Sequence, residues 1–246
     1  MLDVFFLSYN EPYADENYAN LKKIVPNARR VNGVKGFAAA HQECARRSFT
    51  NNFYVVDSDA IIAEDFDFNF SPSKYNTWWY TPESEFICVW SSINPINDLI
   101  YGHGGVKILP KQPLLGPNKD VIDFTTGFGL KTKVFEEVSN ITAFNYDEFN
   151  TFRSAFRECA KLASNVTNKE LHYKLVQEEL TQILKEAEYR LHIWTSLGKN
   201  KKFGEYCVAG ARQGKKYGTK FAENAQRLKL INDYEWMKNE FDRFFR

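Results

Sequence analysis

Two aspartates, Asp57 and Asp59, stand one residue apart in FYVVDSDAII, the stretch Phe53–Ile62. They follow a run of aromatic and β-branched residues that reads as a buried strand. Carboxylates at this spacing would share one side if the strand ran through both. Held together at a strand end, they can share a hard divalent cation, Mg²⁺ or Mn²⁺, whose remaining positions take water and the phosphate oxygens of a nucleotide diphosphate. The same triplet also marks ordinary turns, and both readings stand.

The elements that must position this pair can be read around it. Val4–Ser8 is a short apolar run closed by Tyr9-Asn10-Glu11-Pro12, a strand ending in a loop. Asn17–Ile24 reads as a helix stopped by Pro26, Ala28–Val31 as a second strand, and Phe37 to about Phe49 as a helix entered through Asn32-Gly33-Val34-Lys35-Gly36. Phe53–Val56 is then the third strand. Strand alternating with helix predicts an α/β fold with a mainly parallel sheet flanked by helices, and such sheets place ligands at the carboxyl ends of their strands.

Thr77–Tyr80 and Phe86–Ser91 read as further strands, and Asn94–Gly129 as a long Gly/Pro-punctuated connection that is functional or carries short strands of its own. Tyr146–Ala163 carries Phe149, Phe152, Phe156 and Cys159 at helical spacing. Thr167-Asn168-Lys169-Glu170 is a capping box ahead of an apolar face running from Leu171 to Leu191. The C-terminal region is therefore expected to be helical. With no repeat and no low-complexity tract, the 246 residues are expected to form one elaborated domain.

Composition narrows the function classes. Hydrophobic residues are 43% and charged residues 26%, and no apolar run approaches the ~18 residues of a membrane span. A soluble protein with no membrane partner is expected. MLDVFFLSYNEP reads as a core strand rather than a secretory signal, which gives a cytoplasmic expectation. Cys44, Cys88, Cys159 and Cys207 are scattered singly, as free buried thiols are, and form no CxxC pair. A net charge of +1 speaks against a surface that is polyanion-binding throughout. The stretch from Lys199 to Arg246 nevertheless holds twelve Lys/Arg against six Asp/Glu, seven of the bases lying between Lys199 and Lys220. This basic stretch is either a phosphate-backbone contact or a solvated surface.

A DxD triplet ending a core strand of an α/β region resembles the GT-A class of nucleotide-sugar glycosyltransferases. VNGVKGFAAAHQECARRSFTNNFYVVDSDAII, YGHGGVKILPK, DFTTGF, FNYDEFNTFRSAFRECAKLAS and CVAGARQGKKYG together resemble, from about Val31 to Gly218, the glycosyltransferases that modify hydroxymethylated pyrimidines in DNA. That group includes the base J glucosyltransferase of kinetoplastids and related bacteriophage enzymes. The resemblance implies a GT-A-like fold, with residues 1–92 binding the nucleotide sugar and residues 93–246 binding the acceptor. It implies a UDP-sugar donor, Mn²⁺ or Mg²⁺ as cofactor, and DNA carrying hydroxymethylcytosine or hydroxymethyluracil as acceptor. A phage-encoded enzyme of this kind would work in the host-cell cytoplasm.

By the same resemblance, Asp57 and Asp59, with Ser58 between them, serve the metal and the donor. Ser8, Tyr9, Asn10 and Glu11 would hold base and ribose. Lys35 and His41 would border the sugar or diphosphate, although His41 can equally be a satisfied helix histidine. Asp147 and Glu148 at a helix start would be the acceptor base, or ordinary partners of the helix dipole; Asp123 is their rival. His192 or His103 would supply a third metal ligand, unless each is structural. Arg153, Arg157 and Lys161 share one helix face that could meet phosphate or solvent. Trp78, Trp79, Tyr80, Trp90 and Trp194 could stack on an exposed base or pack in the core.

Two other functions fit the same residues. One keeps the glycosyl transfer but directs it to a glycan or a protein. The other is a non-catalytic nucleic-acid-binding module in which Asp57 and Asp59 only turn the chain.

Overall fold

The computed structural model describes residues 1–72, 86–116, 122–123, 130–166 and 177–246, the side chains of Phe86, His103, Lys131, Gln177 and Glu179 excepted. These residues pack as two compact units. The first holds residues 1–94, 100–120 and 128–143, and the second residues 95–99, 121–127 and 144–246.

The first unit is built on a seven-stranded sheet of β1 (Asp3–Ser8), β2 (Arg29–Asn32), β3 (Asn52–Asp57), β4 (Ala60–Ile62), β5 (Phe86–Ile93), β6 (Ile100–Pro110) and β7 (Lys131–Thr142), ordered β2-β1-β3-β6-β5-β7-β4. β1 runs parallel to β2 and β3, and β5 parallel to β7, whereas β6 and β4 are antiparallel to their neighbours. The sheet is therefore mainly parallel, as the alternation of strands and helices predicts.

Its two faces are set by the period of two along each strand. Val4 and Phe6 of β1, Tyr54 and Val56 of β3, Cys88 and Trp90 of β5, and Val106 and Ile108 of β6 share one apolar cluster with Ala14 and Leu21 of α1 (Ala14–Ile24). Trp90 is stacked between Tyr54 and Phe135 at centroid distances of 5.7 and 5.0 Å. Phe5, Phe53 and Val55 point to the opposite face, and Asp57 follows them at the same parity. Cys44 of α2 (Phe37–Arg47) feels the charges of Lys107 and Asp57, which sets α2 on that second face.

The connection expected between Asn94 and Gly129 contains a strand of eleven residues, β6, central in the sheet. Its glycines allow close neighbours. A Cβ on Gly102 would come within 2.7 Å of Val134, and one on Gly105 within 2.7 Å of Asn140. A short helix, α3 (Lys111–Leu114), follows. β7 has no counterpart in the sequence reading. Its first half, KTKVFEEV, is largely exposed, so charged residues hide the strand pattern. The strand expected at Thr77–Tyr80 lies outside the described residues.

The second unit is helical: α4 (Glu148–Ser164), α5 (Gln177–Ser196), α6 (Gly204–Lys220), α7 (Ala225–Lys229), a 3₁₀ turn (Leu230–Asn232) and α8 (Tyr234–Phe245). Phe149, Phe152, Phe156 and Ala160 of α4 form a core with Ile231, Met237 and Phe241. α4 and α6 run side by side in the same direction with almost no side chain between them. A Cβ on Gly210, Gly214 or Gly218 would come within 2.2–2.3 Å of the carbonyl oxygens of Phe152, Phe156 and Ala160 respectively. The glycines of CVAGARQGKKYG thus bring two backbones together and leave the intervening bases on the outer face. The capping box at 167–170 lies outside the described residues, as do Leu171, Leu175 and Val176 of the apolar face expected after it.

Candidate active site

β1 connects to β2 on one side, while β3 lies on the other, so the carboxyl ends of β1 and β3 flank the point where strand order reverses. Open α/β sheets leave a crevice there. Leu7 is opposite Asp57 in the parallel register, so the loops beginning at Ser8 and Ser58 leave the sheet side by side.

The aspartate pair is separated by a turn. β3 ends at Asp57, Ser58 and Asp59 turn, and β4 begins at Ala60. Two contacts fix this turn. The Asn17 side-chain amide of α1 donates to the Ser58 carbonyl at 2.8 Å, and the Ala143 N–H at the end of β7 donates to the Asp59 carbonyl at 2.7 Å. Asn17 and Ser58 are buried, so the turn has a defined shape rather than a surface loop's freedom.

A buried lysine holds the first aspartate. Lys107 stands opposite Val55 in the β3–β6 register, making it the diagonal neighbour of Asp57 on the same face. Its ammonium donates to both carboxylate oxygens, 2.7 Å to Oδ1 and 2.9 Å to Oδ2. A third bond runs 2.7 Å to the carbonyl of Gly104, whose φ of +81° suits only glycine well.

Asp59 is half-buried, and its pKa is pushed up to about 7, chiefly by burial and then by the charges of Asp57 and Glu11. Glu11 therefore belongs to the same electrostatic neighbourhood. Its carboxylate also accepts the Tyr9 N–H at 2.8 Å. Ser8 is buried, donates to Asn32 Oδ1 at 2.8 Å and accepts from Arg30 Nε at 2.8 Å, tying the ends of β1 and β2 together. Tyr9, Asn10 and Lys35 are exposed.

α2 begins just beyond β2. Gly36 precedes its first turn at φ +93° and offers no side chain to cap it, and the first turn contains no acid. A helix start of this kind favours an anion. His41 is buried in α2 with Nδ1 2.7 Å from the Phe37 carbonyl. Burial, and then Lys107, push its pKa down to about 3, so the ring is neutral. With Nδ1–H donating to that carbonyl, Nε2 is the acceptor nitrogen.

Of the remaining predicted site residues, all but His103 belong to the second unit. Asp147 caps α4, its two oxygens accepting from the Asn150 N–H at 2.6 Å and the Asn150 side-chain amide at 2.8 Å. Glu148 is exposed and accepts from the Tyr206 hydroxyl. Asp123 is paired with Lys161 at 3.1 Å. His192 is exposed on α5, and the side chain of His103 lies outside the described residues.

The face formed by Arg153, Arg157 and Lys161 is engaged within its own unit. Arg153 lies over the Tyr234 ring, Arg157 donates to Asn232 at 2.8 Å, and Lys161 pairs with Asp123 and Glu158. Neither free solvation nor an open phosphate contact describes it. Trp90 and Trp194 are buried, which removes both as platforms for a nucleic-acid base. Trp78, Trp79 and Tyr80 lie outside the described residues. The four cysteines are free and buried, as their spacing predicts.

The basic stretch acquires a shape. Lys199, Arg212, Lys215 and Lys216 line a cavity of about 700 Å³ with the hydroxyl residues Thr195 and Ser196 and one acid, Glu205. Arg212 is oriented there by donating to the Thr195 carbonyl at 3.0 Å.

Two carboxylates at a strand end are the hard-oxygen donors that Mn²⁺ or Mg²⁺ accepts, and such ions often take only one or two protein ligands beside phosphate and water. Among the described residues no three His, Cys, Asp or Glu side chains come together to hold a metal. The residues therefore fit an ion carried largely by its nucleotide, provided Asp57 gives up its contact with Lys107. The sequence shows Asp57 and Asp59 directly. It conceals Lys107 and Asn17, whose partners lie 50 and 41 positions away. The cluster GHGGVK was the available signal for Lys107: a lone cation after glycines in an apolar strand.

No protein-family model matches the chain, and no curated protein does. Among solved structures, it is similar to the mannosyltransferase PcManGT from Pyrobaculum calidifontis in complex with GDP-Man and Mn²⁺, at a TM-score of 0.44 and 12% identity. The similarity covers 96% of this chain and 85% of that one. Among the described residues no helix is long and apolar enough to cross a membrane.

Proposed function

We propose that this chain is a glycosyltransferase that moves a sugar from a UDP-sugar to the hydroxymethyl group of a 5-hydroxymethylpyrimidine in DNA. The observation carrying this reading is the aspartate pair on a pinned turn at the strand-order reversal of a mainly parallel sheet. Around it, Ser8 to Glu11 lie at the end of β1 and in the loop after it, and the glycine-led start of α2 follows β2. Together these features suit a nucleotide base and ribose beside a diphosphate. Lys35 is exposed in the loop that would border the donor.

Asp57 and Asp59 would hold the divalent ion; when bound, it neutralises charge on the departing diphosphate. Proton removal from the acceptor hydroxyl falls to a carboxylate of the second unit if the reaction inverts the anomeric centre. Exposure supports Glu148 for this step, since Asp147 is spent on capping α4 and Asp123 on Lys161.

The basic cavity between α5 and α6 favours DNA over a neutral glycan as acceptor, because its four cations outnumber its one acid, Glu205, and with two hydroxyl residues suit backbone phosphates. Incubation with a panel of UDP-sugars, Mn²⁺ and oligonucleotides containing hydroxymethylcytosine or hydroxymethyluracil, followed by nucleoside mass measurement, tests the proposal. A mass gain of one sugar on the modified base is expected. UDP release without DNA modification would redirect the reading to a glycan or protein acceptor. DNA binding with neither donor binding nor UDP release would leave a non-catalytic module.

A further inference from the structure

Lys107 is only 4% exposed, yet it lies in a strand whose neighbours Val106 and Ile108 are apolar. All three of its donors are matched, two by Asp57 and one by the Gly104 carbonyl. Replacing such an ion pair by apolar side chains often costs nothing in stability, so stability alone is a weak reason for a lysine here. Its partner supplies a better one. The Asp57 side chain is 35% exposed, so the carboxylate lies between the buried ammonium and the open side of the site. An anion arriving beside Asp57 is one carboxylate away from a fixed positive charge.

The charges also need that cation. Asp57 and Asp59 stand on one turn at the end of β3, and Leu7 lies opposite Asp57, so the loop carrying Glu11 leaves the sheet beside them. A diphosphate entering such a neighbourhood meets repulsion unless positive charge is present. Lys107 supplies it from within the chain, and the Gly104 carbonyl gives the ammonium a neutral anchor if it loosens its hold on Asp57.

We propose that Lys107 is a resident cation of the diphosphate site: it holds Asp57 in the free protein, then exchanges a carboxylate oxygen for a phosphate oxygen, allowing a nucleoside diphosphate to bind without divalent metal. The proposal rests on the donor-site reading above. It makes the divalent ion and Lys107 two cations that share one pair of aspartates. Either cation would offset the charge of the diphosphate, so each would lessen the need for the other.

Calorimetric titration of the full chain with UDP and with GDP, in EDTA and in Mn²⁺, tests this without any turnover. The wild-type protein should bind in EDTA. Lys107→Met should weaken that metal-free binding about ten- to hundredfold, the scale of one charge-assisted hydrogen bond, and largely spare binding in Mn²⁺. Asp57→Asn, which removes the competitor for the ammonium while keeping the side chain's shape, should tighten metal-free binding and reduce the benefit of Mn²⁺. The opposite signs separate a phosphate contact from a structural pair, and Asp57→Asn keeps the test open if Lys107→Met does not fold. Binding by the wild type only in Mn²⁺, or equal losses in both variants, would overturn the proposal and leave the donor site standing. Failure to bind either nucleotide under both conditions would overturn the two together.

Discussion

Asp59 carries a cost that should be measurable as stability. Its carboxyl is moved from 3.8 to about 7 by burial and by the charges of Asp57 and Glu11. The folded protein therefore holds a proton that the unfolded chain releases near pH 4. Stability is fully present below that pH, falls as pH rises, and levels off above about 7. A displacement of about three units corresponds to at most ~4 kcal/mol. Because the residue is half-buried, screening by solvent reduces the expected loss to about 1–2 kcal/mol. Asp59→Asn keeps the shape and removes the titration. In urea unfolding at several pH values in EDTA, the variant should match the wild type near pH 4 and exceed it increasingly up to about pH 7. Mn²⁺, which needs the ionised carboxylate, should stabilise the wild type more at pH 8 than at pH 5 and the variant little at either. A gain from Asp59→Asn that is constant with pH, or a loss that grows with pH, would refute the burial and charge argument.

Gly214→Ala should destabilise the protein although alanine is the better helix former: a Cβ 2.2 Å from the Phe156 carbonyl forces α4 and α6 apart. Overpacking of about 1–3 kcal/mol against a propensity gain of ~1 leaves a net loss of up to about 2 kcal/mol, measured by chemical unfolding. Replacing Lys215 and Lys216 with glutamine should weaken DNA binding and lower the slope of log K against log salt by about two, as titration at several salt concentrations would register. Glu148→Gln should lower kcat by about a hundredfold or more while leaving donor binding intact, if it is the base. Retained turnover would move that role to another carboxylate.

What the sequence discloses follows the range over which its signals act. β1, β2 and β3 with their following loops are visible because an apolar run ended by polar residues is a local pattern. α4 is visible for the same reason, with Asp147 capping it and phenylalanines repeating along one side. β7 is obscured by the charges on its exposed first half, and its bulged pairing with β5 has no local mark. β6 looks like a connection because its glycines, which loosen an isolated chain, here admit Val134 and Asn140 at close range. The glycines of α6 carry no local mark of their role either: set among the bases of a stretch read as a phosphate contact or a solvated surface, they lie along a helix-to-helix contact.

The same distinction divides the site itself. A carboxylate pair can be found from spacing, but its charge state depends on what the fold brings to it. Val55 pairs with Lys107, and this register between β3 and β6 puts an ammonium diagonally across from Asp57. A one-residue slip would turn Lys107 to the apolar face occupied by Tyr54, Val56 and Trp90. It would also leave Asp57 beside Asp59 and Glu11 without that compensation. The hydrophobic clustering that fixes the register therefore fixes the electrostatics of the aspartates too. The apolar residues of β3 and β6 thereby help to determine how an anion would be received at the strand's end.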